Sequence, residues 1–243
     1  MKAVDLFAGW GGFSTGATLA GADVLTAVNH WPLAVDTHKL NHPGTSHICQ
    51  DLRQFDFTQL PDYSLLLSAP ACQGHSTASQ PRRRTYHNAL RSTAFAVIDC
   101  ADQTHPDTIL VENVPSFTRW SLYSHWIAML ETLGYTVSQE VITASHMGVP
   151  QRRRRLFVCA SKVGASIAPD QPCDEPAFGP HIEWEKGEWR HITQAQPNAR
   201  ARMAIAKRNH GPRVLSQHTT GHSGVPLREP IRTITGADQW VAV

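Results

Sequence analysis

The chain has no run of apolar residues near the roughly 20 needed to cross a bilayer. Its first residues, MKAVDLFAG, lack the charged-then-apolar pattern of a secretory leader. It has no C-x-x-C pair; the five cysteines (49, 72, 100, 159 and 173) are odd in number and scattered. That spacing argues against a disulfide scaffold and for free thiols in a reducing cytosol. Lysine is scarce, and no long charged block or heptad pattern is present. Membrane proteins, knottin-like secreted domains, coiled coils and long disordered tails are thereby excluded as expectations. What remains is 243 residues, 41% of them hydrophobic, enough to bury a full core in one compact domain with a small appendage.

A net charge of +2 is uninformative, but 17 of the 22 basic residues are arginine. They cluster at Arg82 to Arg84 and at Arg152 to Arg155. Arginine presents a planar fork of donors suited to phosphates and base edges. Arginine-for-lysine usage from a GC-rich genome explains the overall bias better than it explains two tight clusters.

Short apolar runs alternate with amphipathic stretches at the spacing of βα units. Strands are expected at about 3–7, 23–28, 47–49, 63–68, 108–111, 135–143 and 156–160. Helices are expected at about 14–20, from Pro32 onward, at 88–101 and at 120–133. The pattern predicts an α/β fold with a doubly wound, mainly parallel sheet. Ligands in such folds bind beyond the carboxyl ends of the strands, so chemistry is sought just after them. From about Ser161 the periodicity fades and Pro, Gly, His and Trp become frequent; only 200–207 looks helical there. Two domains are expected, 1–162 catalytic and 163–243 a small irregular region.

Five segments follow strands, and a sixth leads into the last one. Asp5-Leu-Phe-Ala-Gly-Trp-Gly-Gly12 puts Gly9, Gly11 and Gly12 at a strand-to-helix turn, where backbone N–H groups can face a ligand. No Gly-Lys-Ser/Thr follows, which disfavours a phosphate loop, and Ser14 stands where a dinucleotide fingerprint needs its third glycine. Asn29-His30-Trp31 offers Trp31 either as a purine stacker or as a core aromatic, with His30 where such folds commonly place an acid. Asp51 is either a hydrogen-bond acceptor for an amine or a helix cap. Ser68-Ala-Pro-Ala-Cys-Gln-Gly-His-Ser76 holds Cys72 in a loop, as a nucleophile or a small buried hydrophobe. Its Gly74-His75-Ser76-Thr77-Ala78 approximates a hydrolase elbow, but Ser79-Gln-Pro-Arg follows where that motif needs a helix. Glu112-Asn113-Val114 places a carboxyl that could donate a proton to a ring nitrogen. Finally, in Gln151 to Phe157, strand alternation sends Arg153 and Arg155 to one face and Arg152 and Arg154 to the other. Histidines 30, 38, 42 and 47 lack the cysteine pair of a structural zinc site, and no metal is expected.

In order and spacing these six segments resemble the DNA cytosine-C5 methyltransferase family over residues 1 to about 160. The resemblance implies a Rossmann-like, S-adenosylmethionine-dependent fold. It implies that Phe7, Gly9, Gly11 and Gly12 surround S-adenosylmethionine, with His30 at the ribose position, Trp31 stacked on the adenine and Asp51 on its amine. Pro70 supports that pocket, Cys72 is the nucleophile, and Glu112, Arg153 and Arg155 hold the target cytosine. Gln73 to Arg84 becomes the mobile loop over a flipped base, with Gln73, Ser76, Arg82, Arg83 and Arg84 on double-stranded DNA. A cytoplasmic enzyme of phage or restriction–modification origin is implied. The chain departs from the pattern at Ala71, usually proline, and at His30, usually glutamate. Pro226 to Thr235 resembles the segment leading into the family's last two motifs, which do not follow. The chain is then shortened, encoded by a truncated gene, or completed by a second polypeptide. The competing expectations are a non-catalytic nucleic-acid-binding fragment and a methyltransferase acting on RNA.

Overall fold

The computed structural model describes residues 1–71, 92–167, 173–186, 197–211, 214–217, 224–232 and 240–242. The first half alternates as expected: β1 (Lys2–Leu6), α1 (Gly12–Leu19), β2 (Asp23–Asn29), α2 (Pro32–Asn41), β3 (Ser46–Cys49) and β4 (Leu65–Ser68). There follow α3 (Phe95–Thr104), β5 (Thr108–Asn113), α4 (Tyr123–Thr132), β6 (Thr136–Thr143), β7 (Gln151–Arg152) and β8 (Arg154–Ser161). Beyond them lie α5 (Pro197–His210), β9 (Val214–Gln217), β10 (Val225–Pro226), β11 (Ile231–Arg232) and β12 (Trp240–Ala242). Of the helix expected at 88–101, residues 88–91 lie outside the described residues, and a 3₁₀ turn at Ser92–Ala94 leads into α3 at Phe95. The helix expected from Trp120 starts at Tyr123, after a 3₁₀ turn at Pro115–Arg119. The tail beginning at Trp240 is a strand, as its composition suggests.

One seven-stranded sheet has the order β3-β2-β1-β4-β5-β8-β6. The pairs β3–β2, β2–β1, β1–β4 and β4–β5 are parallel, and β5–β8 is antiparallel. The strand order reverses between β1 and β4, the switch point where open α/β sheets bind ligands at the strands' carboxyl ends. Period-two alternation separates the two faces. Val4, Leu6, Leu66, Ile109 and Val111 pack with α3 and α4 in the larger cluster, which includes Phe117, Trp126 and Leu130. Ala3 and Leu67 pack on the other side with Phe13 and Ala17 of α1. Helices therefore cover both faces, and the doubly wound expectation holds.

Two compact units divide the chain: residues 1–141 with 155–168, and 142–154 with 169–243. A boundary near 162 was expected, yet 142–154 groups with the second unit. The reason is local: β7 pairs in parallel with β11, and Arg152 binds Glu175 at 2.6 Å and Glu229 at 3.2 Å. In that unit β9 pairs antiparallel with β10 and β12. Among the described residues no helix is long and apolar enough to cross a membrane.

Candidate active site

The turn after β1 is shaped by backbone conformation. Phe7 has φ of 58°, unusual for a bulky side chain, and Gly9 and Gly11 have φ of 55° and 96°. Gly11 N donates to Ala8 O, and Ala8 N to Val28 O, tying the turn to β2. A Cβ at Gly12 would meet nothing within 4 Å, and one at Gly9 only Phe7 O at 3.9 Å. The backbone over the start of α1 is thus open to a ligand. Gly11 differs: a Cβ there would lie 2.5 Å from His42 Cδ2. His42 Nε2 donates to Gly11 O at 3.0 Å and lies 3.1 Å from Thr15 Oγ1.

Beneath this turn runs a buried polar chain that the motif analysis missed. Asp5 shares parity with Ala3 on β1 and so faces α1, fully buried. Ser14 Oγ donates to Asp5 Oδ2 at 2.6 Å. A hydroxyl has one proton to give, so His38 Nε2–H donates to Ser14 Oγ at 3.1 Å. His38 Nδ1 is left to accept from His47 Nε2 at 2.8 Å. Burial pushes Asp5 up to about 7, against the hydrogen bonds from Ser14, and its Oδ1 has no hydrogen-bond partner among the described residues. Burial first, then the neighbouring His42 and His47, pulls His38 down to about 4. The three histidines do come together, with His38 ring centroids 4.6 Å from His42 and 4.8 Å from His47. Even so, no group of three or more potential ligands among the described residues is arranged to hold a metal.

At the end of β2, Asn29 Oδ1 accepts from Trp31 N, and Trp31 opens α2 with 48% of its surface exposed. An exposed indole suits stacking on a planar ligand, and the core-aromatic alternative does not hold. His30 is also exposed. Asp51 caps the 3₁₀ turn at Leu52–Gln54 and binds Arg53, with Nε 3.0 Å from Oδ1 and 3.1 Å from Oδ2. Hydrogen bonds from Arg53 hold its carboxyl down to about 2. The cap reading of Asp51 is correct, and its remaining lone pairs can still accept.

The β4 and β5 ends meet beside the switch point. Pro70 is buried, and its carbonyl accepts from Asn113 Nδ2 at 3.2 Å. Ala69 N donates to Leu6 O, fixing the end of the described segment that leads toward Cys72. One residue before Asn113, Glu112 lies across the antiparallel ladder from Phe157. There Glu112 Oε1 meets Arg155 Nε at 2.8 Å, with side chains 24% and 18% exposed. The alternation expected over 152–155 is visible in burial: Arg153 and Arg155 are half-buried, Arg152 and Arg154 exposed. The run is not one strand, because Arg153 separates β7 from β8 and its N–H turns back to Gln151 O. Arg153 belongs to the second unit, Glu112 and Arg155 to the first. Cys72, Gln73, Ser76, Arg82, Arg83 and Arg84 lie outside the described residues.

The family model for C-5 cytosine-specific DNA methylases matches residues 1–228. The chain belongs to that family. It is 31% identical over 183 residues to Type II methyltransferase M.AgeI of Thalassovita gelatinovora, covering 71% of this chain and 42% of the relative. It is 35% identical over 171 residues to Type II methyltransferase M.HgiDI of Herpetosiphon aurantiacus, covering 68% and 53%. The chain thus spans about half the length of these two relatives. Among solved structures, the fold is similar to the Dnmt2 methyltransferase of S. pombe, with TM-score 0.62 and 20% identity over 77% of this chain and 61% of that one. The C-5 methylase family membership agrees with the order of the six segments.

Proposed function

We propose that this chain carries the catalytic residues of an S-adenosylmethionine-dependent DNA (cytosine-5) methyltransferase. The observation that carries the reading is the Glu112–Arg155 pair at 2.8 Å, next to Asn113, which holds the Pro70 carbonyl two residues before Cys72. The open glycine turn, exposed Trp31 and the acceptor Asp51 fit the methylating cofactor: backbone N–H groups for its polar end, an indole face and a carboxylate for its adenine. Phe7, Gly9, Gly11, Gly12, His30, Trp31, Asp51 and Pro70 would hold it. When bound, S-adenosylmethionine supplies an electrophilic methyl group for cytosine C5.

The chain's own residues prepare the base. Cytosine C5 is a poor nucleophile in the intact ring. The Cys72 thiolate forms a bond to C6 of a flipped cytosine, and the displaced electron pair makes C5 electron-rich. Glu112 donates a proton at N3, neutralising charge as it develops there. Arg155 orients Glu112 and holds the base. After C5 gains its methyl group, loss of the C5 proton to a base returns the electron pair and expels the thiolate. Duplex containing 5-fluorocytosine, which cannot lose that proton, should leave an adduct on Cys72 when cofactor is present. Absence of both the adduct and methyl incorporation, with Cys72→Ala as control, would sink the proposal. That outcome favours a nucleic-acid-binding role, alone or with a second polypeptide. Incorporation into tRNA rather than duplex DNA would redirect the substrate class.

A further inference from the structure

We infer that α5 is a phosphate-backbone contact for duplex DNA, holding the duplex without reading its sequence. The inference rests on the proposed activity only in its choice of partner. Helix α5 has the sequence Pro-Asn-Ala-Arg-Ala-Arg-Met-Ala-Ile-Ala-Lys-Arg-Asn-His and contains no carboxylate. Its apolar stripe is narrow: Ala199, Met203 and Ala206 are buried, the last two packing with Val214. The fit is tight, since a Cβ at Gly224 would lie 2.4 Å from Ala206 Cβ. The helix is therefore a fixed platform within its unit.

The other face carries the charge. Arg200, Lys207 and Arg208 are exposed and fall at i, i+7 and i+8, on one side of the helix and about 10 Å apart along its axis. Exposed Ala201 and Ala204 lie among them, leaving no bulk between the cations. Arg202, half-buried, stands on the opposite flank of the buried stripe. None of the four has an ion-pair partner among the described residues, whereas Arg152, Arg155 and Lys186 all do.

Helix electrostatics account for half of this pattern. Lys207 and Arg208 lie in the last turn, where the dipole favours cations. Arg200 closes a first turn without acidic residues, where the dipole disfavours a cation, and Arg202 follows two residues on. An external polyanion offsets that placement. A duplex, with a phosphate charge about every 1.7 Å of axis, presents several phosphates to a stretch of about 10 Å.

The test is fluorescence anisotropy of a labelled 30-base-pair duplex of arbitrary sequence, titrated with the full chain between 50 and 200 mM salt. Each lost phosphate contact should lower the slope of log affinity against log salt by about 0.9. The R200Q/R202Q/K207Q/R208Q variant should lose a slope of about 2 to 4 and bind at least ~10-fold more weakly at low salt. The charge-keeping R200K/R202K/K207R/R208K variant should restore both. Melting curves check folding; if the fourfold variant unfolds, R200Q and R208Q, both at exposed positions, should each lose about one slope unit. Equal slopes for native and variant chains overturn the inference, even where methyl transfer proceeds. A slope difference with no methyl transfer leaves this contact standing and fails the proposed activity instead. Slope changes seen with an RNA duplex but not with DNA overturn the choice of partner.

Discussion

Two buried groups on one hydrogen-bonded chain have opposite responses to pH. Asp5, at about 7 when folded and 3.8 when free, binds its proton more tightly in the native state. Its contribution is present at low pH and is lost as pH rises from about 4 to 7. His38, at about 4 when folded and 6.5 when free, does the reverse; its contribution is lost as pH falls from 6.5 to 4. His47, also lowered chiefly by burial, adds to the His38 effect. The slopes oppose each other over the shared window, so the native chain should show little pH dependence from this network. Asp5→Asn should expose the histidine slope, with the urea midpoint falling from pH 6.5 to pH 4. His38→Gln should expose the Asp5 slope, with the midpoint falling from pH 4 to pH 7. Parallel curves for both variants would contradict the shared chain. A second prediction concerns Glu112→Gln. It keeps the shape but has no acidic proton to transfer to N3, so single-turnover methyl transfer should drop ~10²–10³-fold. The melting temperature should move far less.

The glycine turn shows why motif and structure agree at the level of an element. Gly9 and Gly12 leave backbone open, as their place after a strand suggests. Gly11 is required for a further reason: positive φ and a histidine against its missing side chain. Gly11→Ala should destabilise the chain by about 1–3 kcal/mol, through strain and displacement of His42. Gly11→Ala with His42→Ala should recover only the steric part, since φ of 96° stays unfavourable; full recovery in chemical denaturation would show that φ costs nothing. The turn's glycines were legible because a strand-to-helix turn needs them locally. The support from His38, His42 and His47 was not, because those residues come from α2 and β3, and nothing in their spacing distinguishes a polar chain from a surface. Asn113 was likewise hidden: its carbonyl partner is Pro70, 43 residues away. The break at Arg153 escaped notice because alternating burial persists through it.

At the scale of the whole molecule, cofactor binding is a test of the first unit. S-adenosylhomocysteine at about 100 times its Kd should stabilise that unit by about 2.7 kcal/mol and raise its melting temperature by several degrees. Trp31→Ala should reduce the shift at the same ligand concentration. No shift in the native chain at saturating ligand would contradict the assigned pocket. The order of short motifs and the doubly wound sheet were determined by the sequence itself, since buried parallel strands need continuous apolar runs and ligand turns need glycine; the residues nominated for chemistry rest on the family resemblance of those motifs. Tertiary structure alone decided that Glu112 meets Arg155, that Asn113 clamps Pro70 and that residues 142–154 group with 169–243. Those pairings join segments tens of residues apart, and their geometry comes from strand order and register, which periodicity in a linear chain does not encode.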